Sequence, residues 1–226
     1  MFNGLVMVTA FTGVIAVGAA VAAQSARKAE ETLSDRVAPN ADEVHPILVG
    51  MKVPDVTLTE VDGKPVRLYS FLEKNPTVLV FYRGGWCPYC NLQLSGLHDI
   101  ESKVLQLGYQ LVAVSADRPM NVEKSIEKHE LNFTSLSDSD KVAAKAFGLA
   151  FKVNEKTLES YKKFGINLTE ASGVDDHVLP VPAVFIVGTD GTILFEYVNP
   201  NYKVRLNAQV LLAILRAENE ESRPGK

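Results

Sequence analysis

The run Thr77-Val-Leu-Val-Phe-Tyr82 passes within five residues into Cys87-Pro-Tyr-Cys90, after which Leu94, Leu97, Ile100, Val104 and Leu107 recur at helical intervals. An unbroken β-branched and aromatic stretch suits a strand buried on both faces of a sheet. The apolar spacing that follows predicts an amphipathic helix, with Gly108 placed to take the left-handed conformation that stops it. The cysteines therefore open a helix at the end of a buried strand. A second apolar strand, Gln110 to Ser115, comes next, and strand-helix-strand implies parallel neighbours in an open α/β sheet.

The flanking chain extends that sheet. Val53-Pro-Asp-Val-Thr-Leu58 and Pro65-Val-Arg-Leu68 bracket Asp62-Gly63, which supplies the positive φ of a tight turn, so a β-hairpin precedes the core. Pro119 opens a helix to about Glu130. A short strand is expected at Thr134 to Leu136 and a short helix from Lys141 to Phe147, closed by Gly148. A charged stretch from Asn154 to Asp176 is read as helix and loop. Ala183 to Val187, the turn Thr189-Asp-Gly191 and Thr192 to Val198 form an antiparallel hairpin, followed by a helix from about Asn207 to Arg216.

Charge and cysteine count narrow the chemistry. A net charge of -4 offers no basic stripe to displace counterions from phosphates, which sets nucleic acid aside as a partner. Two cysteines three residues apart exclude a disulfide framework and leave a redox pair or half a metal site. Structural zinc wants four ligands, and His45, His98, His129 and His177 lie scattered without ligand spacing. No metal or other cofactor is expected.

The N-terminus reads as a targeting segment. Residues 1–23 are free of charge and mostly small and apolar, ending Gly18-Ala-Ala-Val-Ala-Ala-Gln24, which fits a secretory signal cleaved after Ala22 or Ala23. An uncleaved membrane anchor and a packed N-terminal helix are the alternatives. Export, to a periplasmic or other extracytoplasmic location, is the expectation. Residues 24–45 read as a charged helix and linker, 46–218 as the redox domain and 219–226 as a flexible tail.

At a helix N-terminus the Cys87 sulfur would face unpaired backbone N–H groups and the positive end of the helix dipole, both of which lower a thiol pKa. Pro88 costs nothing in the first turn. Cys90 lies one turn deeper on nearly the same face, within reach of a disulfide, so Cys87 is read as the attacking sulfur and Cys90 as the resolving one. This reading makes the pair surface-positioned. Trp86 either shields the sulfur pair or is plain core, and Tyr89 tunes access or partner contact. Arg83, four residues before Cys87, would lower its pKa and hold developing negative charge; a surface salt bridge is the alternative. Asp117 and Arg118 end a strand where sites gather, but a cap on the helix opened by Pro119 is the favoured role near Asp117. His98 is read as a packed or solvated histidine.

These residues carry a resemblance. Trp86-Cys-Pro-Tyr-Cys90 between such a strand and helix is similar to the thioredoxin active-site motif, and Val49 to Leu215 resembles the thioredoxin fold: a central mixed sheet flanked by helices, with an N-terminal β-hairpin. Phe81-Tyr-Arg-Gly-Gly-Trp-Cys-Pro-Tyr-Cys-Asn-Leu-Gln-Leu94, with Val53-Pro-Asp-Val-Thr-Leu58 and Pro180-Val-Pro-Ala-Val-Phe-Ile-Val187, looks like the alkyl hydroperoxide reductase and thiol-specific antioxidant group of peroxiredoxin-like proteins. The resemblance implies that a hydroperoxide oxidises Cys87 to a sulfenic acid, that Cys90 condenses with it, and that a thioredoxin-like dithiol regenerates both. It leaves a homodimer open. Where typical members carry Pro and Thr before the reacting cysteine, this chain has Val80 and Gly84. Where they place an arginine before the late strand it has Val181-Pro182, which matches instead the cis-proline facing the disulfide in thioredoxins. Thiol peroxidase is therefore the expected function, with a thioredoxin-like protein disulfide oxidoreductase and a non-catalytic binding module as alternatives.

Overall fold

A computed structural model describes residues 37–221. The expected targeting segment, most of the charged stretch after it and the last five residues of the tail lie outside the described residues. Among those described, no helix is long and apolar enough to cross a membrane.

The first strands, β1 (Thr57–Thr59) and β2 (Pro65–Arg67), pair antiparallel as the hairpin around Asp62-Gly63, with Gly63 at φ +86°. A one-turn helix, α1 (Tyr69–Leu72), leads into β3 (Thr77–Tyr82), every residue of which is buried. Then come α2 (Pro88–Gln106), β4 (Gln110–Ser115), α3 (Pro119–His129) and β5 (Thr134–Ser137). β3, β4 and β5 run parallel, as the strand-helix-strand pattern requires. The remaining elements are α4 (Val142–Ala146), β6 (Ala150–Lys152), α5 (Glu155–Lys163), α6 (Leu168–Ser172), β7 (Val178–Pro180), β8 (Ala183–Val187), β9 (Ile193–Val198) and α7 (Ala208–Glu221).

The central sheet is mixed and seven-stranded, in the order β2-β1-β5-β4-β3-β8-β9. The interior strand β3 is parallel to β4 and antiparallel to β8, so two-sided burial of Thr77–Tyr82 follows from position. On one face Val78, Val80 and Tyr82 pack with Leu94, Leu97, Ile100 and Val104 of α2 and Leu211, Leu212 and Leu215 of α7. On the other, Phe81 and Phe185 meet Phe147, which follows α4, at ring separations of 6.1 Å or less. Both cysteines belong to the α2 face, so helix packing that stabilises the domain also fixes the sulfurs.

Two features depart from expectation. β6 and β7 form a separate two-stranded antiparallel sheet, pairing Ala150 with Pro180. The Val181–Pro182 bond is trans, as are all peptide bonds among the described residues, so the likeness to a cis-proline does not hold. The chain there runs extended from β7 into β8, with the Val181 N–H donating to the Leu149 carbonyl at 2.8 Å.

Candidate active site

Cys87 is the N-cap of α2, in extended conformation at φ -91°, ψ 115°, and Pro88 takes the first helical position. The capping residue's own side chain makes no cap hydrogen bond. Contrary to the surface-positioned reading, the sulfurs are enclosed, with Cys87 1% and Cys90 0% exposed, because both sit on the face of α2 that covers the sheet. They are free thiols.

Burial of a thiol raises its pKa, yet the Cys87 thiol is held down, to about 6. The largest cause is a hydrogen bond from the Cys90 thiol, followed by the positive charge of Arg83, the Cys90 backbone N–H and the charge of Arg205. Cys90 moves the opposite way, well above the usual thiol value, through burial first and the neighbouring Cys87 second. The pair is thus split into one sulfur that is mostly thiolate near neutrality and one that keeps its proton.

Arg83, at the end of β3, is 2% exposed and makes no salt bridge among the described residues. Its guanidinium lies 4.0 Å from the Tyr202 ring centre, 5.0 Å from that of Trp86 and 5.4 Å from that of Tyr161. Nη2 donates to the Tyr161 hydroxyl. Burial lowers its pKa, while Cys87, Cys90 and Tyr202 counter the shift. The aromatic faces offset the lost hydration of the cation. Its Nε is buried without a hydrogen-bond partner among the described residues. A cavity of about 210 Å³ reaches Arg83 between Tyr161, Tyr202 and Pro182.

The loop from Arg83 to Cys87 is held from behind. Gly85 N–H donates to Asp117 Oδ2 at 2.7 Å, Asn91 Nδ2 donates to the Gly85 carbonyl at 2.9 Å, and Cys87 N–H closes a turn on the Gly84 carbonyl at 3.1 Å. Gly84, at φ +149°, admits no side chain, since a Cβ would stand 2.3 Å from Trp86 Nε1 and 2.5 Å from Asp117 Oδ1. That contact explains why glycine occupies the position where typical peroxiredoxin-like proteins carry threonine. Asp117 is 2% exposed, and its carboxyl is raised to about 7, chiefly by burial and against the Gly85 N–H bond. The favoured cap role fails, because the N-cap of α3 is Arg118, with no side-chain cap, and Asp117 turns inward to the glycine loop. Arg118 lines a cavity of about 320 Å³ with Gly85 and Trp86.

The sequence model of the AhpC/TSA family matches residues 49–195 of this chain. The chain belongs to the AhpC/TSA family. Peroxiredoxin Bcp of Escherichia coli K12 is 30% identical, over 60% of this chain and 86% of that one. A Haemophilus influenzae relative, also designated a bcp peroxiredoxin, is 30% identical over 77% of this chain and 99% of its own. Among solved structures, reduced Prx3 of Vibrio vulnificus in complex with hydrogen peroxide superposes with a TM-score of 0.62 at 18% identity, covering 75% of this chain and 99% of that one. That likeness carries the thioredoxin-like fold.

Within this member of the family, the structure brings Arg83, Gly84, Trp86, Cys87, Pro88, Tyr89, Cys90 and Pro182 to one end of the sheet. Trp86 packs on Tyr161 at 5.6 Å, and Tyr89 meets Tyr202 edge-on at 5.7 Å, both partly buried against the core. His98 lies two turns along α2 beside Glu101 at 3.7 Å, remote from the sulfurs in the helix. Sequence reasoning missed Tyr161, Tyr202 and Arg205. Arg205 donates from Nη2 to Cys90 Sγ at 3.3 Å. No spacing links these residues to the cysteines, and only the folded sheet joins them.

Proposed function

We propose that the protein is a thiol peroxidase that reduces hydrogen peroxide or an alkyl hydroperoxide through Cys87 and Cys90. The observation that carries this reading is the depressed pKa of Cys87 beside a buried, aromatic-caged guanidinium. A thiolate attacks the terminal peroxide oxygen, the O–O bond breaks, and the leaving alkoxide or hydroxide needs positive charge at that moment. Arg83 supplies it, with its unpaired Nε as the available donor. The oxygen left on Cys87 makes a sulfenic acid, and attack by Cys90 expels it as water and forms a disulfide.

Regeneration falls to an external dithiol of thioredoxin type, which attacks the disulfide by exchange. The near-complete burial of Cys87 and Cys90 favours a small hydroperoxide over a folded protein as the first reactant. Export past Ala22 or Ala23 would place this cycle outside the cytoplasm, and mass spectrometry of the mature chain's N-terminus tests it.

The test of activity is hydroperoxide consumption coupled to a thioredoxin-type reductant. Turnover that disappears in Cys87→Ser, with Cys90→Ser accumulating a sulfenic acid, is expected. Efficient insulin-disulfide reduction with negligible peroxide turnover would select a protein disulfide oxidoreductase instead.

A further inference from the structure

We propose that Arg205 is a catalytic residue for the second sulfur, holding Cys90 as a thiolate when it attacks oxidised Cys87 and again when it leaves during reduction. The inference rests on the peroxidase reading for the first of these steps only. The second follows from the presence of a disulfide, however formed.

Arg205 lies in the segment between β9 and α7, and three hydrogen bonds fix its guanidinium. Nε donates to the Tyr202 carbonyl at 2.7 Å, Nη1 to Gln93 Oε1 at 2.7 Å and Nη2 to Cys90 Sγ at 3.3 Å. Gln93 stands three residues after Cys90 on α2, so one helix face presents both the sulfur and the amide oxygen to the fork. A half-buried arginine committed on every edge is not a solvated surface charge. Both guanidinium groups act on the pair, Arg83 from the aromatic cage more strongly than Arg205 on Cys87, while Arg205 alone donates a side-chain hydrogen bond to Cys90.

That division matters because the charge on the pair moves during the cycle. In the reduced protein Cys87 carries the negative charge, and the neighbouring Cys90 keeps its proton. Oxidation makes Cys87 a neutral sulfenic acid, so the repulsion that kept Cys90 protonated disappears. Burial still opposes a Cys90 thiolate, and the charge of Arg205 is the strongest influence favouring one. The thiolate then attacks Cys87 Sγ. The S–S bond forms, the S–O bond breaks, and the departing hydroxide together with the proton Cys90 released makes water. In reduction, one thiolate of the external dithiol attacks Cys87 Sγ and the S–S bond breaks, with Cys90 leaving as a thiolate on Arg205. The second thiol of the reductant then closes its own disulfide and releases Cys87. A leaving thiolate of lower pKa departs faster, so Arg205 accelerates this step as well.

The test forms the disulfide with diamide, so that it does not depend on peroxide, and follows its reduction by dithiothreitol through the fluorescence of Trp86, the single tryptophan. Loss of a charge-assisted bond should slow reduction of Arg205→Met by about tenfold to a hundredfold. Arg205→Lys, which keeps the charge without the fork, should recover part of the rate. In Cys87→Ser protein, adding Arg205→Met should raise the ultraviolet thiolate titration of Cys90 by roughly one pH unit or more. A merely structural Arg205 would leave that titration in place in folded protein. If Arg205→Met does not fold, Arg205→Lys carries the same two measurements with smaller shifts. Unchanged reduction rates and an unchanged Cys90 titration in a folded variant overturn the proposal. Failure of the peroxidase reading would look different: hydrogen peroxide would not form the disulfide, while the diamide-formed bond would still report on Arg205.

Discussion

The pH dependence of the first step is a direct consequence of the site's electrostatics. With the Cys87 pKa lowered from 9.0 to about 6, about nine tenths of the protein carries the thiolate at pH 7 and about one tenth at pH 5. The rate constant for hydroperoxide should therefore be nearly flat above pH 7 and fall about tenfold per unit well below 6. The largest cause of the lowered value is the hydrogen bond from the Cys90 thiol, so Cys90→Ala, which removes that donor, should shift the midpoint upward, and Cys90→Ser, which keeps a donor, should shift it less. Arg83 contributes next among the favourable charges. An opposite charge at close range is worth about 1 to 3 pH units, so Arg83→Met should bring the midpoint to roughly 7 or above and leave about half the thiolate or less at pH 7. The assay is stopped-flow Trp86 fluorescence against pH, checked by the pH dependence of alkylation. A wild-type midpoint at 8 or higher, or an Arg83→Met midpoint equal to wild type, would refute the reasoning.

Other consequences concern the glycine loop and its buried carboxyl. Gly84→Ala forces a Cβ against Trp86 and Asp117 at φ +149°, and should cost about 1–3 kcal/mol in denaturant unfolding while changing Trp86 emission. Unaltered stability and emission would contradict the packing described. Asp117, raised from 3.8 to about 7 by burial, binds more protons in the folded than in the unfolded chain between those values, so its contribution to stability falls as pH rises through that window. Asp117→Asn keeps an acceptor for Gly85 and removes this contribution, up to about 4 kcal/mol. Denaturant unfolding at pH 5 and pH 8 should show a shallower pH slope, the part due to Asp138 remaining, since burial raises its carboxyl to about 7 as well. The same slope as wild type would be the negative result.

Local periodicity carried the elements that make the site. The strand Thr77–Tyr82, the helix after it and the strand Gln110–Ser115 each show a pattern within a few residues, and their order implied the parallel arrangement. What escaped was non-local. The pairing of Ala150–Lys152 with Val178–Pro180 joins two three-residue segments across α5 and α6, too short for either to show a period. Arg205 meets Cys90 across 115 positions, in a segment without regular structure, and nothing in Tyr202-Lys-Val-Arg205 marks it. Tyr161 reads as part of a charged amphipathic helix until α5 is seen to bring it to Arg83. Asp117 misled because an acid just before Pro119 fits a helix start, whereas the end of β4 turns it toward Gly85. The burial of both sulfurs was also hidden, since position at a helix N-terminus says nothing of which face that turn presents.

The site does more than ionise a thiol. At pH 7 a free cysteine, with a pKa near 8.5, is about 3% thiolate, so lowering the Cys87 pKa to about 6 can accelerate its reaction with peroxide by only about thirtyfold. The decisive measurement is the second-order rate constant of reduced protein with hydrogen peroxide at pH 7, set beside that of free cysteine under the same conditions. An acceleration well beyond thirtyfold, lost in Cys87→Ser and reduced toward the ionisation limit in Arg83→Met, is the predicted result. A rate at or below that limit would contradict it.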